Sequence, residues 1–400
     1  MTLKTVFDKL SEEMILELES ILEFWSNHSV DNQHGGFVGQ IDHYGKINLE
    51  ASKGAVLNTR LLWTFSAACR MIGSKKLEML ATRAFEYLLL NFWDKENGGL
   101  FWKIDCNGKP LNTRKQAYAQ GFGVYALSEY YLATGNTESL DYAKKLFRII
   151  EERFRDTDKG GYTEALDKEW KPLADMRLSE RDANYPKSMN THLHILEPYT
   201  NLYRVWKNEE VKESILHLLD VFQTKIVNAE TGHFNLFFEM DWTCRSEIVS
   251  YGHDIEGAWL LHEAAHEISA SDIIKSIQET ALKLVDVTLD EGRDADGSLF
   301  NERERDHLDT DKHWWPQAEA MVGLMDAWEI SKNDAYIHEI ERIWKFVKEN
   351  VIDYENGEWY GRVDINKNAI PENKVGFWKC PYHNTRAMIE LITRFKKQLD

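Results

Sequence analysis

The sequence is poor in several things, and each scarcity removes a class of protein. Cysteine appears four times, as Cys69, Cys106, Cys244 and Cys380, far apart and with no C-x-x-C pair. That spacing argues against a disulfide framework and a structural zinc site, and it fits a reducing compartment. No apolar run approaches the roughly 20 residues that a membrane helix needs. Residues 1–10 lack the apolar core of a secretion signal. Cations are outnumbered, 48 Lys and Arg against 66 Asp and Glu, for a formal net charge of −18. Nucleic acid and anionic membrane both require positive patches, so neither is expected as a partner. Seven prolines in 400 residues leave no Pro/Ser-rich linker and no low-complexity tract. The expectation is a cytoplasmic protein folded as one domain over residues 1–400, a monomer with a dimer as the alternative.

What is present is repetition. Turns containing glycine and followed by an apolar or aromatic residue recur at Gly35-Gly36-Phe37, Gly98-Gly99-Leu100, Gly160-Gly161-Tyr162, Gly232-His233-Phe234, Gly297-Ser298-Leu299 and Gly357-Glu358-Trp359. Asp or Asn usually stands just before the glycine, as turn chemistry prefers. The spacing of roughly sixty to seventy residues holds two helices and their loops. Helical periodicity fills both sides of each turn. It predicts helices near 4–27, 75–92, 138–155, 208–227, 271–289 and 333–351 before the turns, and near 53–72, 115–134, 187–206, 254–269, 314–331 and 382–397 after them. Twelve helices in six hairpins with almost no strand make an open solenoid or a closed ring. The last hairpin is not an obviously polar cap, which favours closure. The expected fold is all-α, an (α/α)6 barrel. The second set of helices carries small and aromatic residues near its starts, as in Tyr118-Ala119-Gln120-Gly121-Phe122-Gly123, and is assigned to the inner ring.

In such a barrel the six inner helices begin at one end, so their first turns share a pocket. Those turns offer Arg60, Tyr118, the group Asn190–His194–Glu197, the pair His253–Glu256, Trp314–Trp315, and Trp378–His383–Arg386. Histidine titrates near pH 6.5, so it both takes and returns a proton near neutrality. Arginine holds an oxygen on which negative charge develops. Indole faces suit the apolar face of a sugar ring. The inventory points to proton transfer at a carbon beside a carbonyl on a carbohydrate. His253 and Glu256, three apart on a helix, are expected to share a face, the carboxylate supporting the imidazole as a base. Ser250 or Asp254 is the expected N-cap of that helix.

Two further motifs compete. His262-Glu263-Ala264-Ala265-His266 matches the H-E-x-x-H zinc pattern. No third histidine follows at the expected spacing, and His262 lies opposite His253 on the helix, so both cannot enter one pocket. The run from Asn301 to Asp306 reads as solvated surface, with substrate gating as the alternative. His313, beside the Trp pair, is left open. A glycoside hydrolase on the same scaffold would need two carboxylates flanking the bond. A non-catalytic helical scaffold would need an exposed concave surface.

The motifs Lys187-Ser188-Met189-Asn190-Thr191-His192-Leu193-His194, Ser250-Tyr251-Gly252-His253-Asp254-Ile255-Glu256 and Trp378-Lys379-Cys380-Pro381-Tyr382-His383-Asn384-Thr385-Arg386 together resemble the N-acylglucosamine 2-epimerase superfamily, and within it the cellobiose 2-epimerase branch. The likeness runs nearly the whole chain. It implies an (α/α)6 barrel and epimerisation at C2 of the reducing-end sugar of a β-1,4-linked disaccharide, with no cofactor and no metal. By the resemblance His253 and His383 are the acid/base pair, and Arg60 and His194 surround the reacting end. Trp378 stacks on substrate, and Tyr118, Asn190, Glu256 and Trp315 are further pocket positions. The superfamily also holds N-acylglucosamine epimerases and aldose–ketose isomerases with the same histidine pair.

Overall fold

A computed structural model describes residues 2–399. Twelve α-helices account for most of them: α1 (Leu3–His28), α2 (Ala55–Ile72), α3 (Lys75–Tyr87), α4 (Ala117–Thr134), α5 (Thr137–Arg153), α6 (Met189–Val205), α7 (Glu209–Val221), α8 (Tyr251–Glu267), α9 (Ile274–Gly292), α10 (Trp314–Ser331), α11 (Ala335–Phe346) and α12 (Tyr382–Leu399). Helices α3, α7 and α11 each run on into a five-residue π turn. The expected segments are therefore present, with one shift that matters. The fourth inner helix starts at Tyr251, three residues before the predicted start, so His253 stands within its first turn.

The inner ring is closed. Helices α2, α4, α6, α8, α10 and α12 each pack on the next, and α12 returns to α2. The outer helices pack around them, and the last inner helix, α12, is covered by the first outer one, α1. The tight hairpins run from inner to outer helix. Gly73 ends α2 and Gly135 ends α4, both left-handed (φ 74° and 72°), with α3 and α5 starting within two or three residues. Glycine takes that conformation without Cβ strain. The longer connections, from outer to inner helix, all lie at the other end.

Those long loops share a device. Asp31, Asp94, Asp156 and Asp353 each accept two backbone N–H groups of the turn that follows them. Each also binds a lysine two or more residues ahead of the next inner helix: Lys53 at 2.8 Å, Lys115 at 3.0 Å, Lys187 at 2.7 Å and Lys374 at 2.7 Å. The same ammonium binds the carbonyl of the turn glycine, Gly35, Gly98, Gly160 or Gly357. In the fifth loop Lys312 pairs with Asp294 at 2.7 Å. The fourth loop has Asn228 at the turn and Val249 before the helix. Both charges are missing together there, as an uncompensated buried ion would be costly.

Among the described residues, fourteen strands of two or three residues stitch the loops to one another. Lys53–Gly54 pairs with Lys103–Ile104 and Lys115–Gln116 with Ala165–Leu166, and the pattern continues around the ring. A bridge from Ile41 to Val375 joins the last loop to the first. This collar holds the inner-helix starts in register around a cleft. No helix among the described residues is long and apolar enough to cross a membrane.

Candidate active site

The cleft at the collar end has a volume of about 980 Å³. Arg60, Tyr118, Asn190, His194, His253, Glu256, Trp314, Trp315, Trp378 and His383 all line it. The structure places these residues, which the inner-helix spacing predicts to share a pocket, on all six inner helices and the loop before α12. His313 lines the same cleft.

His253 and His383 both pack against Trp315, whose ring centre is 4.7 Å from the first and 5.6 Å from the second. Gly252 makes room for that indole, since a Cβ there would sit 2.5 Å from Trp315. The two imidazoles are held differently. Nδ1 of His383 is 2.7 Å from the Glu319 carboxylate, which is itself held by the Trp259 indole at 3.1 Å. Nδ1 of His253 is 2.7 Å from the Ser250 hydroxyl. In both rings Nε2 remains to meet a ligand. Burial, then His194 and Arg60, push His253 down to about 3. Burial, then Arg60 and Arg386, push His383 well below the usual range for imidazole. Both are therefore neutral at pH 7, the form in which Nε2 accepts a proton.

His194 owes its position to a kink. Pro198 has no N–H to give the carbonyl of residue 194, and His194 leaves helical geometry (φ −88°, ψ 16°). Its carbonyl then lies against Gly121 of α4, where a Cβ would come within 2.3 Å. The small residues read from the sequence as a close helix approach serve this contact. Nδ1 of His194 bonds Glu197 at 3.0 Å.

Arg60 brings a positive charge into the cleft. Its guanidinium bonds the Tyr118 hydroxyl at 2.8 Å and lies over the rings of Phe122 and Tyr382 at 4.3 and 4.7 Å. Among the described residues no carboxylate pairs with it. A cation in an aromatic cage of this kind is available to an anionic ligand. Beneath the floor, Arg386 bonds Glu197, Glu256, Glu319 and the Tyr382 hydroxyl. Burial opposes ionisation of Glu197, but Arg386 and His194 outweigh it and hold that carboxyl at about 2. Burial and the neighbouring Glu319 raise Glu256 to about 8, and burial raises Glu319 as well. One guanidinium does not keep three buried carboxylates ionised. Glu256, Glu319 and His383 are close enough to share a metal ion, but Arg386 already binds both carboxylates.

The sequence model of the N-acylglucosamine 2-epimerase family matches residues 35–387. The chain belongs to this family. It is similar to the cellobiose 2-epimerase of Bacteroides fragilis, 46% identical over 389 residues that cover 96% of this chain and 98% of the relative. The cellobiose 2-epimerase of Dictyoglomus turgidum is 38% identical over 94% of this chain and 95% of its own. The solved structure of cellobiose 2-epimerase from Bacillus thermoamylovorans superposes with a TM-score of 0.94 at 38% identity, covering 97% of this chain and all of the other.

Several expectations change in detail. Glu256 does not support His253; its oxygens face Arg386, His194 and His383 instead. Ser250 occupies the N-cap position of α8, but its hydroxyl turns to His253, and Asp254 binds His233 and the N–H of Phe234. Arg386, expected against substrate, lies outside the lining and braces the carboxylates. The H-E-x-x-H run makes no shared site, since His262 binds Asp326 and Glu263 binds Arg204. The charged run at 301–306 is a hairpin, Glu302–Glu304 with His307–Asp309, paired to the strand Ile248–Ser250 that leads into α8.

Sequence reasoning missed Glu319 and the strip from Leu178 to Asp182, which also lines the cleft. A signal for Glu319 existed. It is the sixth residue of α10, as Glu256 is the sixth of α8. The strip had a weaker one, a structureless stretch of some twenty residues, longer than compact domains normally carry.

Proposed function

We propose that this protein is a carbohydrate 2-epimerase that inverts C2 of the reducing-end sugar of β-1,4-linked disaccharides, converting cellobiose to glucosyl-mannose. The observation that carries the reading is the pair of neutral imidazoles packed against Trp315, beside a guanidinium that no carboxylate neutralises. The relatives named cellobiose 2-epimerase, similar over nearly the whole chain, support the substrate class.

The chemistry follows from the geometry. Only the open-chain aldehyde makes the C2 proton acidic, because the carbonyl delocalises the charge. One histidine removes that proton through Nε2, giving an enediolate. Arg60, with Tyr118 holding it, stabilises the oxygen anion. The anion raises the proton affinity of the opposite imidazole, whose Nε2 takes a proton from solvent water and delivers it to the other face of C2, while the first imidazolium returns its proton to solvent. The reaction as written uses protein side chains throughout and calls for no cofactor. Returning the proton to C1 yields a ketose, a side activity the same groups permit. Trp378, half-buried against Trp102, Phe377 and Tyr118, offers its indole to the second sugar.

The hydrolase alternative is disfavoured by the carboxylates, since Glu197, Glu256 and Glu319 are all tied to Arg386. The scaffold alternative expects an open concave face, and the inner ring is closed. Incubation with cellobiose, N-acetylglucosamine and mannose in parallel tests the reading. Inversion at C2 of cellobiose with the disaccharide intact is expected. Release of glucose, or turnover of N-acetylglucosamine alone, would replace it.

A further inference from the structure

The cleft holds more acid/base groups than C2 inversion uses. His253 and His383 suffice for that step, yet His194 and Glu256 also line the cleft. They form a unit of their own. Glu197 accepts from Nδ1 of His194, which fixes the proton on Nδ1 and leaves Nε2 as an acceptor. The Nε2 atom lies 3.9 Å from Oε2 of Glu256. Oε1 of Glu256 takes the hydrogen bond from Arg386 at 2.5 Å, while Oε2 is buried without a partner. A buried carboxylate oxygen with no donor is costly unless that oxygen carries the proton. The cleft thus contains an acid, Oε2–H of Glu256, beside a base, Nε2 of His194.

We propose that Glu256 and His194 are the pair that opens and closes the sugar ring, distinct from the histidines that act at C2. The inference rests on the epimerase reading above. A cyclic reducing end carries two oxygens on C1, the hydroxyl O1 and the ring oxygen O5. Opening requires removal of the proton from O1 and delivery of one to O5. Nε2 of His194 takes the O1 proton, and Oε2 of Glu256 gives its proton to O5. The O1–H electrons form the C1=O bond as the C1–O5 bond breaks with its electrons going to O5. The step leaves His194 as imidazolium and Glu256 as carboxylate, side by side. Proton transfer from the first to the second restores both. Ring closure of the product is the same step reversed. Burial together with Glu319 raises the Glu256 carboxyl, and burial lowers the His194 imidazole, so each is in the required form at neutral pH.

Ring opening is read separately from epimerisation by mutarotation. A single anomer of freshly dissolved cellobiose is followed by polarimetry with catalytic enzyme, and C2 exchange is followed in parallel in heavy water. The parent enzyme is expected to accelerate both. The variants His253→Asn and His383→Asn are expected to lose C2 exchange while still accelerating mutarotation. Glu256→Gln is expected to lose 10²-fold or more of the acceleration of mutarotation, the scale of one general acid. Binding of cellobiitol, whose reducing end has no ring, checks that Glu256→Gln keeps a formed cleft. His194→Gln, which leaves the carboxylates on Arg386 in place, is expected to show the same loss and decides the matter if Glu256→Gln does not fold. Mutarotation at the parental rate in both of these variants overturns the inference, as does its loss in His383→Asn. If the parent mutarotates cellobiose through Glu256 without inverting C2, this inference holds and the proposed function falls.

Discussion

At the level of single residues, the two imidazoles proposed to act at C2 are not equivalent. A carboxylate, Glu319, backs His383, whereas a neutral hydroxyl, Ser250, backs His253. A carboxylate both fixes the tautomer and favours the imidazolium, and a hydroxyl does neither firmly, because it donates as readily as it accepts. Glu319→Gln should therefore lower kcat for cellobiose by about 10²-fold or more with little change in KM, measured by steady-state kinetics. A rise in KM alone would mean that Glu319 shapes the cleft rather than the base. The pH profile carries a second prediction. With His253 at about 3 and His383 held low, protonation of the bases lies below the ordinary histidine value, so activity should persist well under pH 6. The alkaline limb should fall near pH 8, where Glu256 loses its proton. That carboxyl is faced by His194 and Glu197 of α6, Glu319 of α10, His383, Arg386 and Tyr382 of α12 and Tyr118 of α4, and burial among them, then Glu319, raises it. An acid limb at pH 6.5 with no alkaline limb below pH 9 would contradict this assignment.

At the level of elements, the collar loops stabilise by pairing a buried lysine with the aspartate that shapes each turn. Lys115 and Asp94 are nearly free of solvent contact, and burial pushes the lysine down to about 8. Lys115→Met should cost roughly 3–5 kcal/mol by stranding the aspartate, measured by chemical denaturation. The double change Lys115→Val with Asp94→Asn, which copies the fourth loop, should recover much of that. At the far end of α8, His262 binds Asp326, and that partner raises its imidazole. A raised value means the stabilisation is present below the unfolded value of about 6.5 and is lost as pH rises through the folded one. His262→Ala should thus destabilise more at pH 5 than at pH 9, and activity should withstand chelation of metal. These elements also show what the sequence made legible. Periodicity and the glycine turns located all twelve helices, since an amphipathic face is a local property. The N-terminal starts of the inner helices located the cleft. What stayed hidden was pairing across the ring. Nothing local distinguishes Glu256 bonded to His253 from Glu256 bonded to Arg386, 130 residues away, or marks Glu319 as the partner of His383.

At the level of the whole molecule, the site exists only when the ring is closed. Arg60 on α2, His194 on α6, His253 on α8 and His383 on α12 meet because α12 docks on α2 and α1 covers α12. The buried bonds of Trp25 to Glu358, and of Trp359 to Glu17, tie the first outer helix to the last loop. Family likeness and fold identify the chemistry as epimerisation, and in the proposed mechanism His253 and His383 act as two separate bases. That claim is tested most directly by conversion of cellobiose in heavy water, followed by NMR through the first turnovers. The proton returned to C2 comes from a different imidazole than the one that removed it, and that imidazole equilibrates with solvent. The account predicts glucosyl-mannose carrying deuterium at C2, with the glycosidic bond intact. Product that retains its original hydrogen at C2 would contradict it, because one base would then have done both jobs.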